Sequence, residues 1–237
     1  MSSDDGPSAL KSRAAGFVKR AAMLTGAHRA LFYRYDYMFD PDQLMVLVDT
    51  ITATDDLEGP LLEVGCAAGH TTVFLDRHLG VLGSERMYVA IDTFAGFTDE
   101  DIAVERKRGH AERYRWLFRN YDQSYFDQTM ANNGVTRVTS VKADANIYDF
   151  SPHAGASWCL IDVDLYRPVR ATLERVLPLM APGGIIVVDD CVDSGKYDGA
   201  HQAFVEITEG LDADCSIEAR KLGVIRLRHG RTSAMRG

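Results

Sequence analysis

The stretch from Trp158 to Cys191 constrains this chain more than any other, because it reads strand, turn, helix, turn, strand. Trp158-Cys-Leu-Ile-Asp162-Val-Asp164 is a short apolar run that stops at two acids. A helical pattern follows from Val169 to Met180, with Val169, Leu173, Val176, Leu177 and Met180 on one face. Pro168 suits the first turn of that helix, where a missing N–H costs nothing. Ala181-Pro-Gly-Gly184 breaks the helix, and Ile185 to Val188 forms a second buried strand that runs into Asp189-Asp190-Cys191. Two apolar strands joined through a helix lie parallel in one sheet, which puts both acid pairs at its carboxyl edge. Open α/β sheets bind their ligands at that edge.

On a strand, Asp162 and Asp164 face the same way. Asp189 and Asp190 are adjacent, so at least one of them lies beyond its strand end. Carboxylates at neighbouring tips repel by about 1–4 kcal/mol per close pair at water-like to intermediate dielectric. A divalent cation turns that repulsion into attraction, and an all-oxygen acidic set suits Mg²⁺ or a similar hard ion. Helix capping accounts for one acid per turn, but not for two pairs.

A chain of 237 residues suits one α/β domain with an added element. Its formal charge of −8 argues against a nucleic-acid binder working through bulk electrostatics. Cys66, Cys159, Cys191 and Cys215 show no metal-ligand spacing, and three of them fall in or at the end of predicted core strands. No signal peptide opens the sequence, and no apolar run approaches membrane-spanning length. The expectation is a soluble, cytoplasmic protein with reduced thiols and no nucleic-acid or membrane partner.

Upstream of the sheet, residues 1–12 are polar and frayed, and 14–38 is a helical pattern rich in aromatics. A second helix runs from Pro41 to Thr52, with Asp40 as its cap and Leu44, Met45, Leu47 and Val48 on it. Residues 1–58 therefore read as an N-terminal helical cap that packs over the ligand edge or mediates a homo-oligomer. The sheet domain, 59–237, starts at Gly59-Pro60. Leu61 to Gly65 is a strand, Cys66-Ala67-Ala68-Gly69 a turn, and His70 to His78 a helix. Such a glycine turn lets backbone approach a ligand and aims helix N–H groups at it. Its GxxxG spacing is not the GxGxxG of dinucleotide enzymes, which disfavours a nicotinamide-dependent oxidoreductase.

Met87 to Asp92 is the next strand, and Asp92 at its tip is placed to accept two hydrogen bonds from a ribose diol. Tyr125 to Asn133 is a covering helix, and Val135 to Val141 alternates like a strand that leads to Asp144-Ala145. An acid there accepts an adenine amine or simply closes a turn. Residues 105–119 carry six Lys or Arg against two Glu, interleaved with Tyr114, Trp116, Leu117 and Phe118. This segment reads as a lid, spanning 99–123 at its widest, or as a solvated amphipathic helix. A loop over 193–199, a helix from Ala200 to Ile207 and an antiparallel pair at 216–220 and 223–228 complete the domain. The fold class is α/β: a doubly wound, mostly parallel sheet with an N-terminal helical cap.

Five pieces carry a family resemblance: Glu63-Val-Gly65, Asp92-Thr-Phe-Ala-Gly-Phe97, Ile161-Asp-Val-Asp-Leu-Tyr166, Pro182-Gly-Gly-Ile-Ile-Val-Val-Asp-Asp190 and Tyr197-Asp-Gly-Ala-His-Gln-Ala203. With them the chain resembles class I S-adenosylmethionine-dependent methyltransferases, and more closely the macrocin O-methyltransferase (TylF-type) family. That resemblance implies a seven-stranded Rossmann-like sheet, S-adenosylmethionine and Mg²⁺ as cofactors, and a small-molecule acceptor such as a natural-product sugar hydroxyl. A catechol-type or phenol-type Mg²⁺-dependent O-methyltransferase uses the same carboxylates and stays open. Asp162, Asp189 and Asp190 match the family's metal ligands. Asp164 matches the position taken as general base in some members, with Asp162 beside it. Glu63, Gly65 and Asp92 match the cofactor site. Gly69, Thr71, Thr93 and Phe94 adjoin it, and Asp144 with Ala145 is added from local chemistry. The Gly-Cys-Ala-Ala-Gly turn departs from the family's usual turn, and the basic segment has no family counterpart.

Overall fold

Stretches of four to nine residues become the strands β1 Leu61–Val64, β2 Tyr88–Asp92, β3 Val138–Lys142, β4 Ala156–Ile161, β5 Met180–Val188, β6 Ala213–Glu218 and β7 Leu222–Leu227, of which β3 and the edge strand β6 are mixed rather than apolar. They form one sheet in the order β3-β2-β1-β4-β5-β7-β6. Pairing is parallel from β3 through β5, and β7 runs antiparallel to both β5 and β6. The central strands β1 and β4 are buried along their whole length, as strands covered on both faces must be. This computed structural model describes residues 18, 21–22, 24–25, 37–109, 117–193 and 198–229.

Within residues 38–229, the described helices are α1 Pro41–Thr52, α2 His70–Leu82, α3 Asp99–Lys107, α4 Gln123–Asn132, α5 Tyr166–Val176 and α6 Asp198–Thr208. Asp40 caps α1 in a capping box with Gln43, as its sequence position predicts. α1 does not behave as part of a separate cap. The chain divides into units 1–37 and 38–237, which leaves α1 with the sheet. Leu47 and Ile51 join Leu61, Leu75, Leu79, Tyr88 and Trp158 in one core cluster. The Trp158 indole also donates to Thr50 Oγ1 at 3.0 Å, which ties α1 to β4. Met45 faces water instead, at 60% exposure. In the first unit, residues 18, 21–22 and 24–25 are helical. The rest of the 14–36 pattern, and with it the expected oligomer contact, lies outside the described residues.

Two sequence expectations need correction. Ala181-Pro-Gly-Gly184 does not separate a helix from a strand. β5 already begins at Met180, opposite Ala156, and pairing resumes at Ile185 with Trp158 after a register shift. Gly183, at φ +82°, supplies the left-handed residue that such an irregularity requires. The preceding helix ends at Val176 and tightens into a 3₁₀ turn over Leu177–Leu179. The second correction concerns Asp162 and Asp164. β4 ends at Ile161, and Asp164 adopts φ +56°, so strand alternation does not orient this pair.

The 99–123 segment begins as helix α3, whose Asp101, Ile102 and Glu105 are buried. Asp101 accepts from Arg167 at 2.8 Å, and Glu105 accepts from the Tyr166 N–H at 3.1 Å. The start of the basic stretch is therefore fastened to α5. Its residues 110–116 lie outside those described.

Candidate active site

Sheet order places the site. The crossover direction reverses between β1 and β4, and ligand crevices of open α/β sheets lie outside the carboxyl ends of such strands. Four non-glycine residues in the carboxyl-edge loops hold left-handed backbone: Ala67 at φ 42°, Phe94 at 49°, Asp164 at 56° and Asp190 at 57°. L-residues pay for that geometry, and strain of this kind concentrates at functional sites.

The loop after β1 is a turn that only glycine can start. A Cβ on Gly65 would lie 1.8 Å from the Asp162 carbonyl oxygen, so the glycine turn and the first acidic loop touch. Gly69, at φ +79°, begins α2, and no side chain caps the helix there. Thr71 follows in its first turn. Asp92, at the tip of β2, organises this turn. Its Oδ2 accepts from the N–H groups of Cys66 and Ala67, both at 2.9 Å, and its Oδ1 from Phe94 N–H at 2.7 Å. A carboxylate offers about four acceptor positions, so three strong backbone bonds leave room for one ribose hydroxyl rather than two. Thr93 turns its hydroxyl to Gly96 O at 2.7 Å. The Phe94 ring packs on Phe126 in the core, leaving only its backbone at the edge.

At the next tip, Ala143 N–H donates to Asp92 O, which sets β3 beside β2. Asp144 Oδ1 accepts from both the backbone N–H and the side-chain amide of Asn146, at 2.9 and 2.7 Å. Ala145 is buried, whereas Ile147 stands 73% exposed beside them. Asn146 Oδ1 is buried with no hydrogen-bond partner, an acceptor that sequence reading missed.

Glu63 is committed inward. It is 1% exposed, and its Oε2 accepts from Thr72 Oγ1 and Tyr88 Oη, both at 2.7 Å. Burial pushes its carboxyl up to about 7, against the lowering effect of those two hydrogen bonds. A raised acid means that the fold disfavours the ionised form. Stability is thus full below the ordinary value of 4.5 and falls as pH rises through about 7. Glu63→Gln is expected to gain on the wild type by about 3 kcal/mol between pH 5 and pH 8, measured as the difference in urea unfolding free energy. A difference that stays flat with pH would remove the burial argument.

The acidic loops after β4 and β5 meet as the sequence predicts. Asp162 N–H donates to Val64 O, and Asp189 N–H to Ile161 O. Asp164 shares a hydrogen bond with Asp190. Burial first, then the neighbouring carboxylates, drives Asp162 and Asp164 well above the usual carboxylate range, and takes Asp189 to about 6. No motif points to the group that opposes them. Lys221 Nζ lies 2.8 Å from Asp189 Oδ2 and 3.3 Å from Asp190 Oδ1. It arrives from the β6–β7 hairpin, some thirty positions away in the chain.

The donor set fits a hard divalent cation in its chemistry. All four acids offer oxygen only, and Asp189 Oδ1 is buried without a hydrogen-bond partner. As the side chains stand, no group of three or more His, Cys, Asp or Glu among the described residues is arranged around a common metal position.

A doubly wound sheet of this order, with a glycine turn after its first strand and an acid at the tip of its second, defines the class I methyltransferase fold. A family model described as a methyltransferase domain matches residues 62–191, more than half of the chain. This chain belongs to that family. Among curated proteins, 8-demethyl-8-(2,3-dimethoxy-alpha-L-rhamnosyl)-tetracenomycin-C 4'-O-methyltransferase of Streptomyces olivaceus is 26% identical over 184 residues. The match covers 68% of this chain and 63% of that protein, so the chain spans just under two thirds of its relative's length. Among solved structures, the O-methyltransferase NovP superposes with a TM-score of 0.71 at 17% identity, covering 83% of this chain and 84% of NovP. CalS11, a calicheamicin methyltransferase, gives 0.61 at 20% identity over 94% and 93%. The resemblance to class I methyltransferases is borne out at the level of the family, and the nicotinamide alternative falls. Among the described residues, no helix is long and apolar enough to cross a membrane.

Proposed function

We propose that this protein transfers the methyl group of S-adenosylmethionine to a hydroxyl of a sugar-bearing natural product, at a site completed by a divalent cation. The observation that carries this reading is the contact between Gly65 and Asp162, which sets the cofactor turn against the acidic loops. A methyl donor held over the β1 and β2 tips then faces an acceptor held over β4 and β5. The curated relative is named for methylation of a rhamnosyl sugar, which favours a glycosylated acceptor here.

Asp92 holds the glycine turn in shape and offers its remaining acceptor capacity to a ribose hydroxyl. Asp144 and Ala145, on the neighbouring tip, face the adenine. Glu63 steadies the start of α2 from beneath through Thr72. Asp162, Asp189 and Asp190 would hold the cation, which when bound supplies Lewis-acid polarisation of the acceptor hydroxyl. Asp164 takes the acceptor's proton as the sulfonium methyl moves to oxygen. Orientation provides much of the remaining rate, because sulfur, methyl and oxygen must lie in line. Burial and the neighbouring carboxylates raise Asp164 well above the usual carboxylate range, and positive charge in the site favours its ionised, proton-accepting form.

The test joins calorimetry with an acceptor screen using radiolabelled methyl donor. S-adenosylhomocysteine should bind the wild type, and Asp92→Ala should lose about 1–3 kcal/mol of that affinity, since three backbone donors and a ribose hydroxyl lose their acceptor. Unchanged affinity in the variant would remove Asp92 from the cofactor site. Absence of label transfer to any glycosylated acceptor, with transfer to catechols instead, would redirect the acceptor assignment.

A further inference from the structure

Lys221 is the one cation that the described residues place on the acidic pair, and how it gets there is unusual. The β6–β7 hairpin turns through Ala219 at φ 44° and Arg220 at φ 71°, with Lys221 N–H closing onto Glu218 O. Two consecutive left-handed residues make a turn that favours Asn-Gly, and this chain builds it from Ala-Arg. α1 holds the strained turn in place. Arg220 pairs with Asp40 and Asp42, both at 2.8 Å, and Gln43 donates to Ala219 O at 3.3 Å. The outcome is a lysine delivered to Asp189 and Asp190 from outside the motifs that define the site.

The same ammonium also touches two groups that lie outside the acidic pair. Met38 O is 3.5 Å from Nζ, and the Phe39 ring face lies 4.9 Å away. A carbonyl oxygen and an aromatic face together accommodate a lysine that has left its carboxylates. Meanwhile Asp189 presents one oxygen to Lys221 and keeps the other, Oδ1, buried and without a hydrogen-bond partner.

Resting on the metal reading above, we infer that Lys221 is a resident counter-cation that neutralises the Asp189–Asp190 pair in the metal-free protein and sets its metal affinity by competing for those oxygens. Metal entry shifts the ammonium toward Met38 and Phe39. A divalent ion and an ammonium about 5 Å apart repel by enough to change a binding constant by about tenfold in a water-like dielectric, and by several orders of magnitude at intermediate dielectric. A merely structural lysine predicts the opposite sign, because its loss would loosen the ligand loop and weaken metal binding.

The experiment titrates Mn²⁺ into wild type, Lys221→Met and Lys221→Arg, reading free Mn²⁺ by electron paramagnetic resonance. S-adenosylhomocysteine binding serves as the check that each variant is folded. Lys221→Met should bind Mn²⁺ about tenfold tighter than wild type, as expected from removing a nearby like charge. Lys221→Arg, which keeps the charge, should stay near wild type. Mn²⁺ bound only by Lys221→Met would support the competition most strongly. Equal or weaker binding by Lys221→Met, with Mn²⁺ still bound by wild type, would overturn the inference and leave the metal reading standing. If no form binds Mn²⁺, the metal reading and the inference fall together.

Discussion

Replacing Asp164 by Asn is expected to lower kcat by about 10²–10⁴ while cofactor and metal binding stay near wild type, the range typical for loss of a positioned general base. The substitution is well suited to the site. Asp164 sits at φ +56°, and Asn tolerates left-handed backbone better than other non-glycine residues. It also keeps a group able to hydrogen-bond Asp190, the partner that Asp164 has now. What it removes is proton affinity. The wild-type rate should rise with pH as Asp164 loses its proton in the loaded enzyme, and the variant should lack that limb. Excess Mg²⁺ separates the two kinds of acid. It should partly restore Asp189→Asn, where a ligand's charge is missing, and leave Asp164→Asn unchanged. Rescue of Asp164→Asn by Mg²⁺ would make that residue a ligand and leave the base unidentified. Full activity after EDTA treatment would take the cation out of the reaction.

The second large effect is structural. Gly65→Ala is expected to cost more than about 4 kcal/mol, a size reserved for changes that the fold cannot absorb. The added Cβ would lie 1.8 Å from the Asp162 carbonyl oxygen and 3.0 Å from Val163 Cγ1, on a residue at φ +88°. Neither side can yield cheaply, because Asp162 N–H is bonded to Val64 O and the β1–β4 register runs up to this point. Gly134→Ala is the matched control. Its φ is +68°, but a Cβ there meets nothing within 4 Å, so only the backbone penalty of about 1–2 kcal/mol applies. Thermal unfolding should place Gly65→Ala roughly 10 °C or more below wild type, and Gly134→Ala only a few degrees below. Similar losses in the two variants would show that steric contact with the acidic loop is not what demands glycine at position 65.

Much of this molecule was legible from the chain alone, for a local reason. Apolar runs such as Leu61–Val64 and Ile185–Val188 call for a sheet covered on both faces, and glycines, prolines and acids mark where each run stops. The two acid pairs at the carboxyl edge followed from that pattern. Tertiary contact decided what the acids do. Strand alternation does not orient Asp164, because β4 ends at Ile161 and the next loop bends through left-handed backbone. Glu63 faces Thr72 and Tyr88 rather than the crevice, and Asp92 is held by backbone N–H groups of a turn some 25 positions earlier. Pro182-Gly-Gly lies inside β5, where partner strands absorb the irregularity. Lys221 had no signal at all, since its place on Asp189 depends on a strained hairpin clamped by α1 across some 180 positions of sequence. Spacing along the chain reports what a segment must bury. Which side chains then share a carboxylate depends on contacts between segments, and those exist only once the sheet has closed.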